Sequence, residues 1–555
     1  MQSYVHGTSE TSLLGMTIGD LLRETARTSG EGEALVSRHQ GLRYTYKQLD
    51  DEVDRVARAF ISAGIEAGDR VGIWSPNCAE WVLVQFATAR MGAIMVNVNP
   101  AYRSRELAYV LEQSGVKLLV AAPRFRAHDY RATLAEIVPA LGTAPAFMTL
   151  FEPSLPDLRG IVLLGDEEAP GMTAWTTFLA GAEKTSLAAL HAHAALLQFD
   201  DPINIQYTSG TTGFPKGVTL SHHNILNNGF FIGEFQRLSS VDRVCIPVPL
   251  YHCFGMVLGN LACVTHGAAM IYPAEAFDPL STMETVQEER CTALYGVPTM
   301  FIAELEHPEF SRFDFTTLRT GIMAGSPCPV EVMRQVTLRM HMPEVTICYG
   351  MTETSPVSFQ TRPDDDEETR VSTVGAIHPY VEAKIVDAVT GRVVERGTPG
   401  ELLTRGYPVM LGYWNNEKAT VEAIDRARWM HTGDLAEMRE DGYVNIVGRI
   451  KDVIIRGGEN IYPREIEEFL YGHPQIADVQ VIGVPDEKYG EEVCAWIKLK
   501  AGEAATEEDV RAYCRGKIAT YKIPRYVAFV DEFPTTVTGK VQKYLMRQMY
   551  VEMRR

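Results

Sequence analysis

The chain has 555 residues, 46% hydrophobic, 22% charged and 9% aromatic, with a formal net charge of −19. That length exceeds one ordinary core and suffices for two or three domains. The negative field disfavours nucleic acid and anionic membranes as partners, while leaving room for a phosphorylated small molecule held in a local cleft. The N-terminal stretch lacks a basic start followed by an apolar run and carries Glu10, Asp20 and Glu24. No secretory or transit leader is therefore expected, and the expected location is cytoplasmic. The most apolar window, Trp81 to Val98, is interrupted by Gln85, Thr88, Arg90 and Asn97, which predicts a buried helix–strand rather than a membrane span. Ser104 to Gly115 places Leu107, Val110 and Leu111 on one helical face between a capping serine and a glycine, and Val116 to Ala122 reads as a buried strand. The same alternation returns at 284–294 and 330–340, so the fold class is α/β with a largely parallel sheet. Thr361 to Arg370 holds five acids between arginines and reads as a solvated loop, with metal binding the alternative. After residue 390 the texture changes to short alternating strands with Gly-rich turns. "PREIEEFLYGHP", "VQVIGVPD", "VCAWIKLK" and "TEEDVRAYCRGKIA" then give helix, strand, strand, helix. The last hundred or so residues are predicted to form a compact α+β domain, with its boundary near Arg449–Lys451. Nine cysteines are scattered without a C-x-x-C pair and read as reduced, buried thiols.

The stretch "YTSGTTGFPKGVTL", Tyr207 to Leu220, concentrates glycines and hydroxyls and closes on a lysine. A loop that wraps a phosphate needs backbone N–H groups unobstructed by side chains, hence glycine. Ser209, Thr211 and Thr212 add neutral donors, and Lys216 adds positive charge for a triphosphate or anchors the loop. The pattern differs from the G-x-x-x-x-G-K-[ST] loop, because Gly210 is followed five residues later by Pro215 and then Lys216. Both flanks read as strands, so a strand–loop–strand hairpin is predicted. Taken alone, the segment also fits an ordinary Gly/Thr-rich hairpin.

It is joined in chain order by "YGMTE" (Tyr349–Glu353), "TGD" (Thr432–Asp434), "GRIKDVIIRGGENIYPREIE" (Gly448–Glu467) and "PTTVTGK" (Pro534–Lys540). Together these segments resemble the motifs of the adenylate-forming superfamily: acyl-CoA synthetases, non-ribosomal peptide adenylation domains and firefly-type luciferases. The resemblance implies a large N-terminal domain, 1–450, of layered α/β subdomains with a distorted β-barrel. It also implies a small mobile C-terminal α+β domain, 451–555, hinged at Lys451. The implied activity makes an acyl-adenylate from ATP and a carboxylate, after which a nucleophile displaces AMP. Thr208, Ser209, Gly210, Thr211, Thr212, Gly213 and Lys216 would hold phosphates, and Gly325, Ser326, Tyr349 and Gly350 would line the nucleotide site, with Tyr349 on adenine. Thr352 would donate to the α-phosphate. Glu353 is a hard oxygen ligand suited to Mg2+, and Asp434 would accept from the ribose hydroxyls beside Arg449. Lys540 would bridge carboxylate and α-phosphate during adenylation. Gly458 would line the thiol tunnel, and His252 would gate the path between acyl site and CoA.

"PLYHCFGMVLGN" (Pro249–Asn260) lacks the acid with which peptide adenylation domains pair an amino group, and the sequence ends soon after Lys540, so no carrier domain is expected. A stand-alone acid:CoA ligase of the medium-chain fatty acyl-CoA synthetase branch is the closest resemblance, using ATP, Mg2+ and CoA. Gly350 stands where acetate-activating members carry tryptophan, which implies an open acyl pocket. Aryl acids, short branched or sulfur-containing acids, and transfer of the adenylate to a carrier protein stay open as alternatives, as does a homo-oligomer.

Overall fold

The computed structural model of the chain describes residues 1–143, 147–208, 215–536 and 540–553. Two large sheets dominate the N-terminal domain. The first has eight strands in the order Thr173–Ala174, Gly160–Leu163, Val116–Ala121, Arg70–Trp74, Ile94–Val98, Pro202–Thr208, Lys216–Ser221 and Gly412–Tyr413. Its first six strands run parallel and the last two pairings are antiparallel. The second has nine, in the order Ala376–Ile377, Val357–Gln360, Glu344–Gly350, Thr320–Ala324, Ala293–Gly296, Arg243–Cys245, Ala269–Tyr272, Glu33–Ser37 and Leu42–Thr45, again parallel through its centre. Central strands such as Val116–Ala121 are near-continuous apolar runs because both faces are covered.

Helix Ala79–Met91 is buried on every side and touches strands of both sheets, as does helix His222–Phe235. The expected helix–strand over Trp81–Val98 is thus an inner layer between two sheets. Arg90 lies in that interior, paired with Asp50 and with Asp54 at 2.5 Å. Helix Ser104–Ser114 ends at Gly115 in the left-handed region, as its pattern predicts. Its cap differs from expectation: Ser104 is the first helical residue and donates to Glu136 at 2.6 Å, while Glu106 folds back onto the Arg103 N–H. The acidic run is also more structured than a solvated loop. Asp366 caps helix Glu367–Ser372, Asp365 accepts from Tyr443, and Asp364 pairs with Arg237. These acids are spent on capping and pairing, and among the described residues no group of three or more His, Cys, Asp or Glu is placed to hold a metal ion.

A third, antiparallel five-stranded sheet curls beside these two, in the order Tyr4–His6, Val381–Val386, Gly400–Gly406, Met430–Met438 and Val444–Arg449. It supplies the half-barrel. The C-terminal domain has its own cores, one built from Ile454, Leu470, Val479 and Val493, the other from Trp496, Met546 and Tyr550. Its sheet pairs Ile476–Asp486 with Gly490–Leu499, and helices Pro463–Tyr471 and Glu507–Cys514 lie where the sequence predicts them. All nine cysteines are buried and none is in a disulfide. Among the described residues no helix is long and apolar enough to cross a membrane.

Candidate active site

Strands Pro202–Thr208 and Lys216–Ser221 form the predicted hairpin, with Thr208 opposite Lys216 at the end of the ladder. Ser209, Gly210, Thr211, Thr212 and Gly213 lie outside the described residues. Gly217 is closely packed, since a Cβ there would stand 3.0 Å from Ile205, 3.3 Å from Tyr207 and 3.4 Å from Trp414.

The neighbouring parallel strands Thr320–Ala324 and Glu344–Gly350 end on one rim, the edge where open α/β sheets bind ligands. Gly325 follows the first with φ +92°, ahead of Ser326. Tyr349 and Gly350 end the second. The chain then enters a short turn, Thr352–Thr354, in which Thr352 and Glu353 are buried. Glu353 Oε1 accepts from the Tyr413 hydroxyl at 2.8 Å, and its backbone carbonyl accepts from Met410 N–H at 2.9 Å.

Asp434 and Arg449 face each other across two strands of the third sheet, with Arg449 Nε 3.2 Å from Asp434 Oδ1. Tyr349 donates its hydroxyl to Asp434 Oδ2 at 2.7 Å. This bond fixes the aromatic ring of one sheet against the carboxylate of another. Burial, followed by the Asp434 charge, pushes the Tyr349 phenol well up, so it stays a donor.

His252 precedes the wide-turned π-helix Phe254–Leu261, and its Nδ1 accepts from Phe254 N–H at 3.1 Å. Burial, with Lys540 adding to it, holds this imidazole down to about 4, so it is neutral at physiological pH. Thr352 Oγ1 lies 4.0 Å from Cys253 Sγ, on the same wall. Lys540 arrives from the C-terminal domain on a turn closed by Thr536 N–H to the Lys540 carbonyl at 2.8 Å and Lys540 N–H to Thr536 Oγ1 at 3.1 Å. Its side chain is open to the solvent of the cleft, yet the surrounding protein displaces bulk water from the ammonium. That desolvation first, then Arg449, pushes it down to about 8 against the opposing pull of Asp434, Asp452 and Glu353.

Residues 22–414 match the AMP-binding enzyme family, and residues 465–540 match its C-terminal domain. The chain belongs to the AMP-binding enzyme family. It is 51% identical over 541 residues, 98% of each chain, to YngI of Bacillus subtilis (strain 168), which carries an acyl-CoA synthetase name. It is 45% identical over 551 residues to the mitochondrial medium-chain acyl-CoA ligase ACSF2 of Rattus norvegicus, covering 98% of this chain and 89% of that one. The crystal structure of the anthranilate CoA ligase AuaEII in complex with anthranoyl-AMP superposes with a TM-score of 0.87 at 26% identity, over 100% of both chains.

Within this AMP-binding enzyme, Lys216 stands over the Tyr413 ring and Tyr413 bonds Glu353, while Tyr349 bonds Asp434 and Asp434 pairs with Arg449. Thr352 lies by Cys253 next to His252, and Lys540 shares its surroundings with Asp434, Arg449, Glu353 and His252. Gly350 has a local explanation that the sequence could not show. A Cβ there would meet the Pro356 carbonyl oxygen at 1.6 Å, so the strand irregularity after Tyr349 itself demands glycine. Gly458 lies in the turn after Ile454–Arg456 with φ +94° and open space around its missing Cβ. Its backbone requires glycine whatever passes beside it. Tyr413 was not legible as a site residue: "GYWN" carries no spacing signal, and only tertiary pairing brings the phenol to Glu353. The buried Glu353 carboxylate fits Mg2+, which takes few protein carboxylates and completes its shell with phosphate oxygens and water.

Proposed function

We propose that this chain is an ATP-dependent carboxylic acid:CoA ligase that releases AMP and acts on medium-chain fatty acids. The observation that carries the reading is the placement of Lys540 in the field of Glu353, Asp434, Arg449 and His252. In the first step an acid carboxylate oxygen attacks the α-phosphorus of ATP, the bond to the β-phosphate oxygen breaks, and pyrophosphate leaves. Lys540 offsets the charge that builds between carboxylate and α-phosphate, a contact whose loss typically costs on the order of 10²–10³ in rate. Lys216 meets the departing phosphates. Asp434 accepts from the ribose hydroxyls, and Thr352 donates at the α-phosphate. Glu353 would hold Mg2+, which when bound neutralises phosphate charge. In the second step the CoA sulfur attacks the acyl carbon, the mixed-anhydride bond breaks, and AMP departs. Neutral His252 lies at the boundary between the two paths.

Lys451 sits in the three-residue turn Ile450–Asp452 between the third sheet and the C-terminal sheet. A change of a few dihedrals there would withdraw Lys540 after the first step. The chain-length preference rests on kinship with relatives named for medium-chain acids. Each buried methylene is worth about 0.8 kcal/mol, so pocket volume alone can select length. The test is to incubate the protein with ATP, Mg2+, CoA and a mixed panel of fatty, aryl and short branched acids, and to read products by mass spectrometry. Acyl-CoA with AMP, dominated by medium chains, is the expected result. Aroyl-CoA as the main product would overturn the substrate class, and an adenylate persisting in the presence of CoA would overturn the ligase reading.

A further inference from the structure

Tyr413 occupies the two-residue edge strand Gly412–Tyr413, opposite Val218 of the phosphate-loop hairpin. Its backbone is held from three sides. Leu411 N–H donates to Thr219 at 3.0 Å, Trp414 N–H to Gly217 at 2.7 Å, and Tyr413 N–H to Thr420 Oγ1 at 2.9 Å. Gln113 reaches the Trp414 carbonyl at 2.8 Å. A side chain on such a frame has little freedom, and both its ends are used. The hydroxyl donates to Glu353 Oε1 at 2.8 Å, and the Lys216 ammonium stands 4.8 Å from the centre of the ring. A donor on one carboxylate oxygen fixes rotation of the carboxylate about its last bond, and so sets where the other oxygen points. A ring face under an ammonium sets where that charge rests.

We propose that Tyr413 is a positioning residue that registers Lys216 of the phosphate loop against the Glu353 carboxylate, so that lysine and cation address the same polyphosphate. This rests on the reading above, in which Glu353 holds Mg2+ and Lys216 meets phosphate. The two ends make separable contributions. The hydroxyl acts on the cation through Glu353, and the ring acts on ATP through Lys216.

ATP binding, measured by calorimetry across a Mg2+ titration without acid or CoA, separates them. Y413F is expected to leave Mg2+-free ATP affinity unchanged and to raise the Mg2+ concentration for half-effect about tenfold, the size of one hydrogen bond to a charged group. Y413L is expected to do the same and also to weaken Mg2+-free ATP binding by about two- to fivefold. The Y413L/K216A double variant should then lose, in total, no more Mg2+-free affinity than K216A alone, because the ring acts through the lysine. E353Q tests the underlying reading, since it should remove the Mg2+ effect. If E353Q does so while Y413F titrates like the unaltered protein, the role of Tyr413 is refuted and the Glu353 reading stands. If E353Q keeps its Mg2+ dependence, the Glu353 reading falls. Fully additive losses for Y413L and K216A would refute the ring's part. Y413F keeps the ring and its packing, so the test does not depend on whether Y413L folds.

Discussion

Lys540 gives up its proton more readily than a lysine in water because protein surrounds it and Arg449 stands nearby. With the ammonium pushed down to about 8, the free enzyme loses the charged form as pH rises through that value. Bound ATP brings negative charge and raises it again. The kcat/KM for ATP in pyrophosphate exchange should therefore fall through a limb near pH 8, with the kcat limb displaced to higher pH. K540R should remove both limbs, and thioester formation from supplied acyl-adenylate should lack them. Identical limbs in both half-reactions would sink the assignment. His252, neutral down to about 4, should add no limb near its ordinary value. At this scale the sequence shows which residue types the chemistry needs, but not where each points. Gly350 is the instructive case, since its motif position suggests an open pocket, while the backbone beside it explains the glycine by itself.

Elements were legible in proportion to how asymmetric their surroundings are. Helix Ser104–Ser114 has one exposed face, so its apolar residues fall into a stripe. Helix Ala79–Met91 is enclosed by both sheets and shows no stripe, only a long apolar run with a misplaced charge. That charge, Arg90, is fully buried and paired with Asp50 and Asp54. R90M should leave Asp50 unmatched and Asp54 with only Arg23, 3.7 Å away, and destabilise the protein by about 3 kcal/mol, read as a lowered denaturation midpoint with normal slope. An unchanged midpoint would show that the pair is dispensable. The π-helix Phe254–Leu261 was beyond sequence reading. Its path follows close contacts, with a Cβ at Gly255 only 2.5 Å from the Pro249 carbonyl and one at Gly259 3.0 Å from Ile246.

For the whole molecule, the role proposed for Lys540 makes the docking of the C-terminal domain decisive. Arg464 of helix Pro463–Tyr471 donates from Nη1 to the Ile446 carbonyl at 2.7 Å, on the last strand of the third sheet. Glu468, one turn on, forms an ion pair with Arg464 at 3.7 Å. Within the C-terminal domain itself, Arg547 of the final helix is 3.1 Å from Asp452 of the turn that holds Lys451. R464A should loosen this docking and slow pyrophosphate exchange about tenfold, while thioester formation from supplied adenylate is retained. Equal losses in the two half-reactions would mean that the contact does not serve Lys540 placement.

By itself the sequence determined the family and the α/β class and named the candidate reactive residues, because phosphate loops, carboxylates and lysines must be of fixed type wherever the chain puts them. The tertiary structure alone decided which of them meet. Tyr349 and Asp434 are 85 residues apart, and Glu353 and Tyr413 are 60 apart, yet each pair shares a hydrogen bond. Such contacts arise from the stacking of three sheets and the docking of a further domain. They leave no periodicity in the chain, since neither partner's local sequence has to change for them to form.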